Sequence, residues 1–280
     1  MRPGPASLLT IMTRLTIATW NINSVRLRVA LVLEFLEEYR PDVLCLQETR
    51  TADATFPFHV FGDAGWPHAV IAGFKGRNGV AILSRRPFAT SRVLSWCGRD
   101  DGRHVQVTFP DGLRLDNIYV PAGGAIPDPE INDKFAHKLD FLEEMTDWIT
   151  GERDPVARRI LAGDFNIAPL ENDVWSHKQL IRAVSHTPVE VETLARLSAS
   201  HDWTDVVRHF VPASEKLYSW WPYRSGRDWS AKDHGRRLDH IWVTPALVPS
   251  LRSCQTLRHM REHEQPSDHV PVVATLEFPG

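Results

Sequence analysis

The sequence contains few cysteines, and they lie far apart. Only Cys45, Cys97 and Cys254 occur among the 280 residues. An odd number of cysteines at this spacing supports neither a disulfide framework nor a cysteine-based zinc site. We expect three unpaired core thiols, as in a protein of the reducing cytoplasm.

A long hydrophobic run is also missing. No stretch of 18 or more apolar residues occurs, so the sequence predicts no membrane-spanning helix and no membrane partner. The apolar run at residues 8–12 is too short for a secretory signal and is followed by no small-residue cleavage site. We expect a loosely ordered tail at residues 1–13 and a single domain at residues 14–278.

Neither sign of charge is in large excess. The chain has 32 Lys and Arg residues against 35 Asp and Glu residues, a formal net charge of −3. Such a balance gives no global attraction for nucleic acid, so any phosphate binding would have to be local.

Short apolar runs alternate with two segments of helical periodicity. Helices are predicted at residues 25–40 and from residue 134 onward, where apolar residues recur every three or four positions. Strands are predicted at residues 15–20, 43–46, 80–83, 105–109, 115–120, 160–162, 238–243 and 270–276. The pattern favours one α/β domain.

Polar residues follow or begin several of these strands: Asn21, Glu48, Asp164 with Asn166, and Asp239. In layered α/β folds, strand ends are where a site is assembled from residues distant in sequence. Asn and Asp also begin ordinary turns, and that alternative applies to each residue taken alone.

Two segments carry the clearest chemistry. In the segment 163–169, Asp164 and Asn166 would project to the same side if strand geometry persists, which suits a base beside an oxyanion donor. In the segment 266–270, Asp268 adjoins His269, so a carboxylate could fix an imidazole tautomer, or the pair could begin a turn. Glu48 is a hard oxygen donor, and such donors favour Mg²⁺ or Mn²⁺ over zinc.

Aromatic and basic residues alternate between residues 218 and 237. Trp220 and Trp221 are followed by Arg224, Arg236 and Arg237. Such a strip can stack on sugars or bases and neutralise phosphates, although tryptophans are more often core residues. It would supply the local positive charge that the overall composition lacks.

Together these segments resemble the exonuclease III family of AP endonucleases, in the endonuclease–exonuclease–phosphatase superfamily. The matching stretches are TWNINSVR at 19–26, LQET at 46–49, NGVAILS at 78–84, NIYVP at 117–121, GDFNIAP at 163–169, RLDH at 237–240 and SDH at 267–269. They occur in the family's order and extend over most of the chain.

The resemblance implies a fold and a metal site. The fold is a four-layer α/β sandwich with two packed mixed β-sheets flanked by helices, and the site lies at one edge. The metal is Mg²⁺, with Mn²⁺ as a substitute, and Glu48 is its principal ligand. The implied ligand set is Asn21, Glu48, Asp164, Asn166, Asp268 and His269.

The resemblance also implies roles for the other site residues. Asp164 would activate water or protonate the leaving oxygen, and Asn166 would stabilise the transition state. Asp239 and Asp268 would orient the site, while His269 and Tyr119 would contact the scissile phosphate. The DNA-contacting residues would be Trp220, Trp221, Arg224 and Arg236.

The implied function is Mg²⁺-dependent incision of duplex DNA 5′ to abasic sites by a monomer, with 3′-to-5′ exonuclease and 3′-end trimming activity. Four residues depart from the family pattern: Asn23, Ala122, Pro222 and Arg236. Arg236 stands where some relatives have a large apolar residue, so substrate preference would shift. Two alternatives remain: a phosphodiesterase or phosphatase acting on lipid headgroups or inositol phosphates, and a catalytically weak DNA-binding relative.

Overall fold

The computed structural model describes residues 12–279, apart from the side chains of residues 225–227 and 279. The expected tail at residues 1–13 therefore lies mostly outside the described residues. Its last two residues, Met12 and Thr13, belong to the first strand, where they pair with Pro279 and Phe278.

Among residues 12–279, twelve strands form the centre of the molecule. They are β1 Met12–Asn21, β2 Val43–Gln47, β3 His68–Ala72, β4 Val80–Ser84, β5 Thr90–Trp96, β6 Arg99–Thr108, β7 Arg114–Tyr119, β8 Arg159–Asp164, β9 Thr204–Asp205, β10 Asp239–Val243, β11 Leu251–Thr256 and β12 Val272–Pro279.

In the part of the chain that the structure describes, seven α-helices and six short 3₁₀ segments connect the strands. The α-helices are α1 Val29–Tyr39, α2 Phe58–Asp63, α3 Asp133–Gly151, α4 His177–Leu180, α5 Pro188–Ala199, α6 Val206–Phe210 and α7 Trp229–Lys232. The 3₁₀ segments are Val25–Leu27, Asp53–Thr55, Glu171–Asp173, Tyr223–Asp228, Pro245–Ser250 and Arg258–Glu262.

The strands form two mixed six-stranded sheets. The first has the order β11-β12-β1-β2-β4-β3, and the second has the order β5-β6-β7-β8-β10-β9. One central pair in each sheet is parallel, β1 with β2 and β7 with β8, whereas the other pairs are antiparallel.

Alternation along the strands explains why the sheets pack face to face with helices outside. Successive side chains of a strand point to opposite faces. In β1, Ile17 packs between the sheets, whereas Ala18 and Trp20 face outward toward α1. In β8, Ile160 and Ala162 face inward and Leu161 packs outward toward α3 and α5. The predicted four-layer α/β sandwich is confirmed.

The structure revises several sequence-based expectations. The helix predicted at residues 25–40 is divided at Arg28 into the 3₁₀ segment Val25–Leu27 and α1. Cys45 is buried as expected, but Cys97 and Cys254 are only partly buried. No helix among residues 12–279 is long and apolar enough to cross a membrane.

Sheet topology determines where the polar strand ends meet. The two parallel pairs place the C-terminal ends of β1 and β2, and of β7 and β8, at one edge of the sandwich. Because β10 is antiparallel to β8 and β12 is antiparallel to β1, both of these strands begin at the same edge. Residues from six distant segments are thereby gathered.

Candidate active site

Asn21, the last residue of β1, links two carboxylates at this edge. Its side-chain Nδ2 donates to Glu48 Oε1 at 3.0 Å and to Asp164 Oδ2 at 2.9 Å. The Ser267 hydroxyl donates to the Asn21 carbonyl at 2.7 Å, which fixes the end of β1 against the segment before β12. Asn21 is fully buried, so its amide position is set by this packing.

Glu48 follows β2 in an uncommon backbone conformation. Its φ is 50°, in the left-handed region that non-glycine residues seldom occupy. The Tyr119 hydroxyl donates to Glu48 Oε1 at 2.8 Å, and Arg50 donates to Oε2. The Glu48 side chain remains 15% exposed, whereas that of Asp164 is 1% exposed. Glu48 is therefore the carboxylate of this pair that is open to solvent.

Asp164 and Asn166 meet through a turn. Strand β8 ends at Asp164, and Asn166 has a φ of 53°. The Asn166 backbone N–H donates to Asp164 Oδ1 at 2.9 Å, and its side-chain Nδ2 donates to the Val120 carbonyl at 2.9 Å and lies 3.3 Å from Asp164 Oδ2. The expected proximity is present, but strand alternation is not its cause.

His269 lies between two buried aspartates. Its Nδ1 is 2.8 Å from Asp239 Oδ2, and its Nε2 is 3.7 Å from Asp164 Oδ2. The Ser219 hydroxyl donates to Asp239 Oδ2 at 2.6 Å. Asp239 Oδ1 has no hydrogen-bond partner within the described part of the chain. A ring held in this way can carry a proton at both nitrogens.

The pKa values of Asp164 and His269 are displaced. Burial raises the pKa of Asp164 to about 7, with the His269 charge lowering it and the Asp239 charge raising it further. Burial lowers the pKa of His269, but the charges of Asp239 and Asp164 outweigh burial and raise it to about 10. At neutral pH the site therefore combines a cationic imidazole with a carboxyl group close to its titration point.

Asp268 points to another set of partners. Asn23 Nδ2 donates to Asp268 Oδ1 at 2.8 Å, and Trp220 Nε1 donates to Oδ2 at 3.0 Å. Burial alone would raise the pKa of Asp268, but the neighbouring His269 charge and these two donors hold the pKa below its usual value. Asn23, one of the four departures from the family pattern, thus serves as a donor to a carboxylate.

The donor atoms at this edge match a hard divalent cation. Carboxylates of Glu48, Asp164 and Asp268 and the amide of Asn21 offer oxygen ligands without any thiolate, as Mg²⁺ and Mn²⁺ prefer. Ligand atoms of Asp164, Asp239 and His269 also lie within 4.8 Å of one another. Because Nδ1 of His269 is held by Asp239 Oδ2, only Nε2 of the ring remains to contact a metal or a phosphate.

The four expected DNA-contacting residues have different environments. Trp220 is half-buried next to Asp268, and Arg224 is exposed. Arg236 stacks over the Trp220 ring, with its guanidinium carbon 5.5 Å from the ring centroid. Trp221 is 1% exposed and packs in the core against Trp229, with ring centroids 5.0 Å apart. The burial of Trp221 does not agree with its expected contact with DNA.

Arg237 differs from the sequence-based expectation, and two further residues of this region, Ser219 and Lys138, had no signal in the sequence. Arg237, expected to add to the cationic strip, is buried and paired with Asp173 at 2.8 Å. Ser219 and Lys138 contact the site through Asp239 and through the Asn166 carbonyl. Their partners lie about 20 and 28 residues away along the chain, so neither periodicity nor a short motif could have identified them.

Comparisons with known proteins agree with this arrangement. A family model described as the Endonuclease/Exonuclease/phosphatase family matches residues 18–269. The chain is 29% identical over 271 residues to exodeoxyribonuclease III of Haemophilus influenzae, covering 92% of this chain and 98% of that protein. It is also 29% identical over 268 residues to the DNA repair nuclease APEX1 of Danio rerio, covering 93% and 81%.

Solved structures show the same relationship. An AP endonuclease from Archaeoglobus fulgidus superposes with a TM-score of 0.86 at 32% identity, covering 94% of this chain and 99% of that one. The 3′ phosphatase NExo from Neisseria, solved with a product DNA hairpin, gives a TM-score of 0.86 at 30% identity, covering 94% and 100%. The chain belongs to the Endonuclease/Exonuclease/phosphatase family, in its exonuclease III branch.

Proposed function

We propose that this protein is a Mg²⁺-dependent DNA repair phosphodiesterase that incises duplex DNA 5′ to abasic sites and trims 3′ ends. The observation that carries the proposal is the convergence of Glu48, Asp164 and His269, from three distant segments, around the Asn21 amide. The names of the relatives, exodeoxyribonuclease III and AP endonuclease, support a hydrolytic DNA repair nuclease.

The site residues suit hydrolysis of a phosphodiester. A divalent cation held by Glu48 and its neighbours would neutralise phosphate charge and stabilise the leaving oxygen. Asp164, with its pKa raised to about 7, can take a proton from the attacking water near neutral pH. The proposed role of Asp239, through its bond to His269 Nδ1, is to hold the imidazole in place.

Three hydrogen-bond donors lie at the candidate site. His269 would donate from Nε2 to a phosphate oxygen, since its pKa is raised to about 10. The Asn166 amide would stabilise charge that develops on the phosphate oxygens. Burial, together with the charges of Glu48 and Asp164, raises the pKa of Tyr119 well above its usual value, so its hydroxyl stays a donor.

Selectivity for abasic sites follows from the cost of exposing a nucleotide. An abasic nucleotide has no base to unstack, so it enters a site at lower cost than an intact one. The Trp220 ring, whose Nε1 donates a hydrogen bond to Asp268, would form one wall beside the proposed phosphate position. The Arg224 and Arg236 guanidiniums offer local positive charge on a chain whose net charge is −3.

The test is incision of a labelled duplex that contains one tetrahydrofuran abasic analogue. We expect a single nick 5′ to the analogue with Mg²⁺ and none with EDTA. Asp164→Asn and Glu48→Ala should each lower the rate by at least about 100-fold. The exposed residues Asp202 and Glu192 supply matched controls, because Asp202→Asn and Glu192→Ala change the same groups where they pair only with the exposed Arg153 and Arg196.

Three results would contradict the proposal. Equal cutting of an undamaged duplex would remove the claimed selectivity. Release of phosphate from an inositol phosphate or a lipid headgroup, without incision of the abasic duplex, would favour the superfamily alternative. DNA binding without any metal-dependent cleavage would favour a catalytically weak relative.

A further inference from the structure

A wide cleft lies beside the candidate site, between the start of α1 and the 3₁₀ segment Arg258–Glu262. Its volume is about 850 Å³, within the roughly 300–1,000 Å³ of ordinary ligand pockets. Its lining combines apolar, aromatic and cationic side chains, among them Leu27, Arg28, Tyr223, Trp229 and Arg261. None of these five side chains has a role in the proposed hydrolysis, so the cleft is a separate feature of the molecule.

Arg261 is a buried cation of this cleft that has no anionic partner in the described part of the chain. The residue is 6% exposed, and its buried Nε has no hydrogen-bond partner among the described residues. Its guanidinium carbon lies 5.0 Å from the Tyr223 ring centroid and 5.8 Å from the centroid of Trp229. No Asp or Glu oxygen of residues 12–279 lies within 4.0 Å of the guanidinium. Because buried charges in proteins are normally paired, this guanidinium is well suited to bind an anion that enters the cleft.

Arg28 adds a second positive charge in a fixed position. Its Nε donates to the Gln265 carbonyl at 2.9 Å, and its Nη2 donates to the Tyr223 hydroxyl at 2.8 Å. Its Nη1 donates to the Asn23 carbonyl. These uncharged acceptors hold the guanidinium without cancelling its charge. Two arginines in one cleft favour a phosphate, which guanidinium groups bind through charge-assisted hydrogen bonds.

The rim of the cleft carries negative charge. Glu262 and Glu264 line it and are exposed, and the exposed Glu34 pairs with His263 at 3.4 Å. Carboxylates at the rim repel the closely spaced phosphates of duplex DNA, whereas one small phosphate compound can pass between them. Arg261 also lies deeper than the convex backbone of a duplex would reach. Charge and depth therefore favour a small phosphate compound over a DNA strand.

From this geometry we infer that the cleft binds a nucleoside 5′-monophosphate, with its phosphate on Arg261 and its base against the Tyr223 ring. The Tyr223 residue is 45% exposed and offers an aromatic surface for stacking.

The choice of ligand rests on the proposed function, because trimming of a 3′ end releases such nucleotides. The water oxygen bonds to phosphorus, the bond from phosphorus to O3′ breaks, and a proton passes to O3′, so the released nucleotide keeps its 5′-phosphate. The cleft also adjoins the candidate site. The Tyr223 hydroxyl lies 3.4 Å from Asn23 Nδ2, which donates to Asp268. The cleft thus holds a released nucleotide next to the site and outside it.

The test is calorimetric titration of the protein with deoxyadenosine 5′-monophosphate (dAMP) in EDTA. Without a divalent cation, the titration includes neither catalysis nor phosphate binding through a metal. Deoxyadenosine and inorganic phosphate are titrated in the same way, which separates the contributions of the nucleoside and the phosphate. We expect dAMP to bind at least about tenfold more tightly than either, since one charge-assisted hydrogen bond contributes about that factor.

Variants of the cleft assign the binding to Arg261. Arg261→Gln should weaken dAMP binding about tenfold or more, and Arg261→Lys should weaken it less. Ser230→Glu adds a negative charge at an exposed residue of the cleft and should also weaken dAMP binding, with Arg261 left in place. Arg252→Gln is the matched control, because the exposed Arg252 pairs with Glu277, and it should leave the affinity unchanged. Thermal unfolding without ligand shows whether each variant is folded, and Ser230→Glu decides if Arg261→Gln is not.

Absence of dAMP binding, or equal affinity for dAMP and inorganic phosphate, would overturn the inference. So would binding that is lost in His269→Gln and kept in Arg261→Gln, because the nucleotide would then occupy the candidate active site. An Arg261→Gln variant that loses duplex affinity as strongly as dAMP affinity would assign the cleft to a DNA strand instead. Failure of the proposed function looks different, because the tetrahydrofuran duplex would then stay intact while dAMP still binds through Arg261.

Discussion

Gly163 shows how closely two strands approach next to the site. Its φ is 146°, and a Cβ built on it would lie 2.0 Å from the Ile118 carbonyl oxygen of β7. Any side chain would push β8 away from β7 directly before Asp164. The glycine therefore lets the strand that carries Asp164 lie flat against the strand that carries Tyr119.

We predict that Gly163→Ala destabilises the protein by at least about 3 kcal/mol, since the added methyl clashes with backbone that cannot move freely. Gly151→Ala is the matched control, because a Cβ at Gly151 in α3 meets nothing within 4 Å. Alanine should be neutral or mildly stabilising there. Urea unfolding measures both, and equal stability of the two variants would contradict the prediction.

Ser219 supports the histidine through an aspartate. Its hydroxyl donates to Asp239 Oδ2 and accepts from the backbone N–H groups of Leu238 and Asp239, at 3.0 and 3.1 Å. We predict that Ser219→Ala lowers kcat for abasic incision about tenfold, the cost of one hydrogen bond to a charged group, with little change in KM. Steady-state kinetics checks this, with the exposed Ser253→Ala as control. An unchanged kcat would show that Asp239 is held adequately without the hydroxyl.

At the scale of elements, one buried ion pair joins two helices to the site. Lys138 of α3 contacts Glu190 of α5, and both side chains are fully buried. Lys138 Nζ also donates to the Asn166 carbonyl at 2.8 Å, while Glu190 accepts from Ser185 and Thr187 in the segment just before α5. The pair thereby fixes the turn that presents Asn166.

Removing one partner of this pair should lower the free energy of unfolding more than removing both. Lys138→Met leaves the Glu190 charge buried, and we predict a loss of about 3–5 kcal/mol in the free energy of unfolding. The double variant Lys138→Met/Glu190→Gln should be more stable than Lys138→Met alone. The exposed residue Arg196 offers a contrast, because Arg196→Met should cost less than about 1 kcal/mol. Strictly additive losses in the double-mutant cycle would contradict this.

Among the strands, those that pack on both faces were the easiest to predict from the sequence. Strands β2, β4 and β8 are buried throughout, and their continuous apolar runs identified them. Strands β5 and β11 escaped prediction because most of their residues are exposed or only partly buried and hydrophobic alternation is weak. Their pairing with β6 and β12 defines them.

The candidate site was predictable to the extent that it is encoded locally. Asn21, Glu48 and Asp164 stand at strand ends in recognisable short stretches, so the amino-acid sequence alone is enough to expect that they gather. The turn that brings Asn166 back onto Asp164 and the burial of Trp221 could not be expected in this way, because each depends on tertiary packing. A Trp-Trp pair gives no local indication of which ring faces solvent.

For the whole molecule, buried carboxylates paired with arginine govern stability at low pH. Burial would raise the pKa of Asp173, but Arg237 and Arg208 outweigh burial and hold it below its ordinary value of 3.8. Burial, opposed by His104 and Arg159, likewise leaves the pKa of Asp116 below its ordinary value. Both side chains are buried and bind residues of neighbouring elements, so protonating them weakens contacts within the fold.

The sign of the pH effect follows from these depressed pKa values. The stabilisation is fully present above the ordinary pKa near 3.8 and is lost as pH falls through the lower folded-state pKa. We predict a Tm that changes little from pH 7 to about pH 5 and falls steeply below about pH 4. Asp173→Asn should lower Tm at neutral pH and flatten the acid decline, whereas the exposed Asp202→Asn should do neither. A decline of the same steepness in Asp173→Asn would contradict the assignment.

The pairing of β1 with β12 has a consequence during synthesis of the protein. Asn21 ends β1, and His269 lies just before β12. Asn21 is therefore synthesised early and His269 late. A growing chain therefore contains Glu48 and Asp164 before His269 has been synthesised. An unfinished polypeptide that lacks His269 should therefore not catalyse the proposed hydrolysis. A prematurely terminated product that still binds DNA should be unable to cut it.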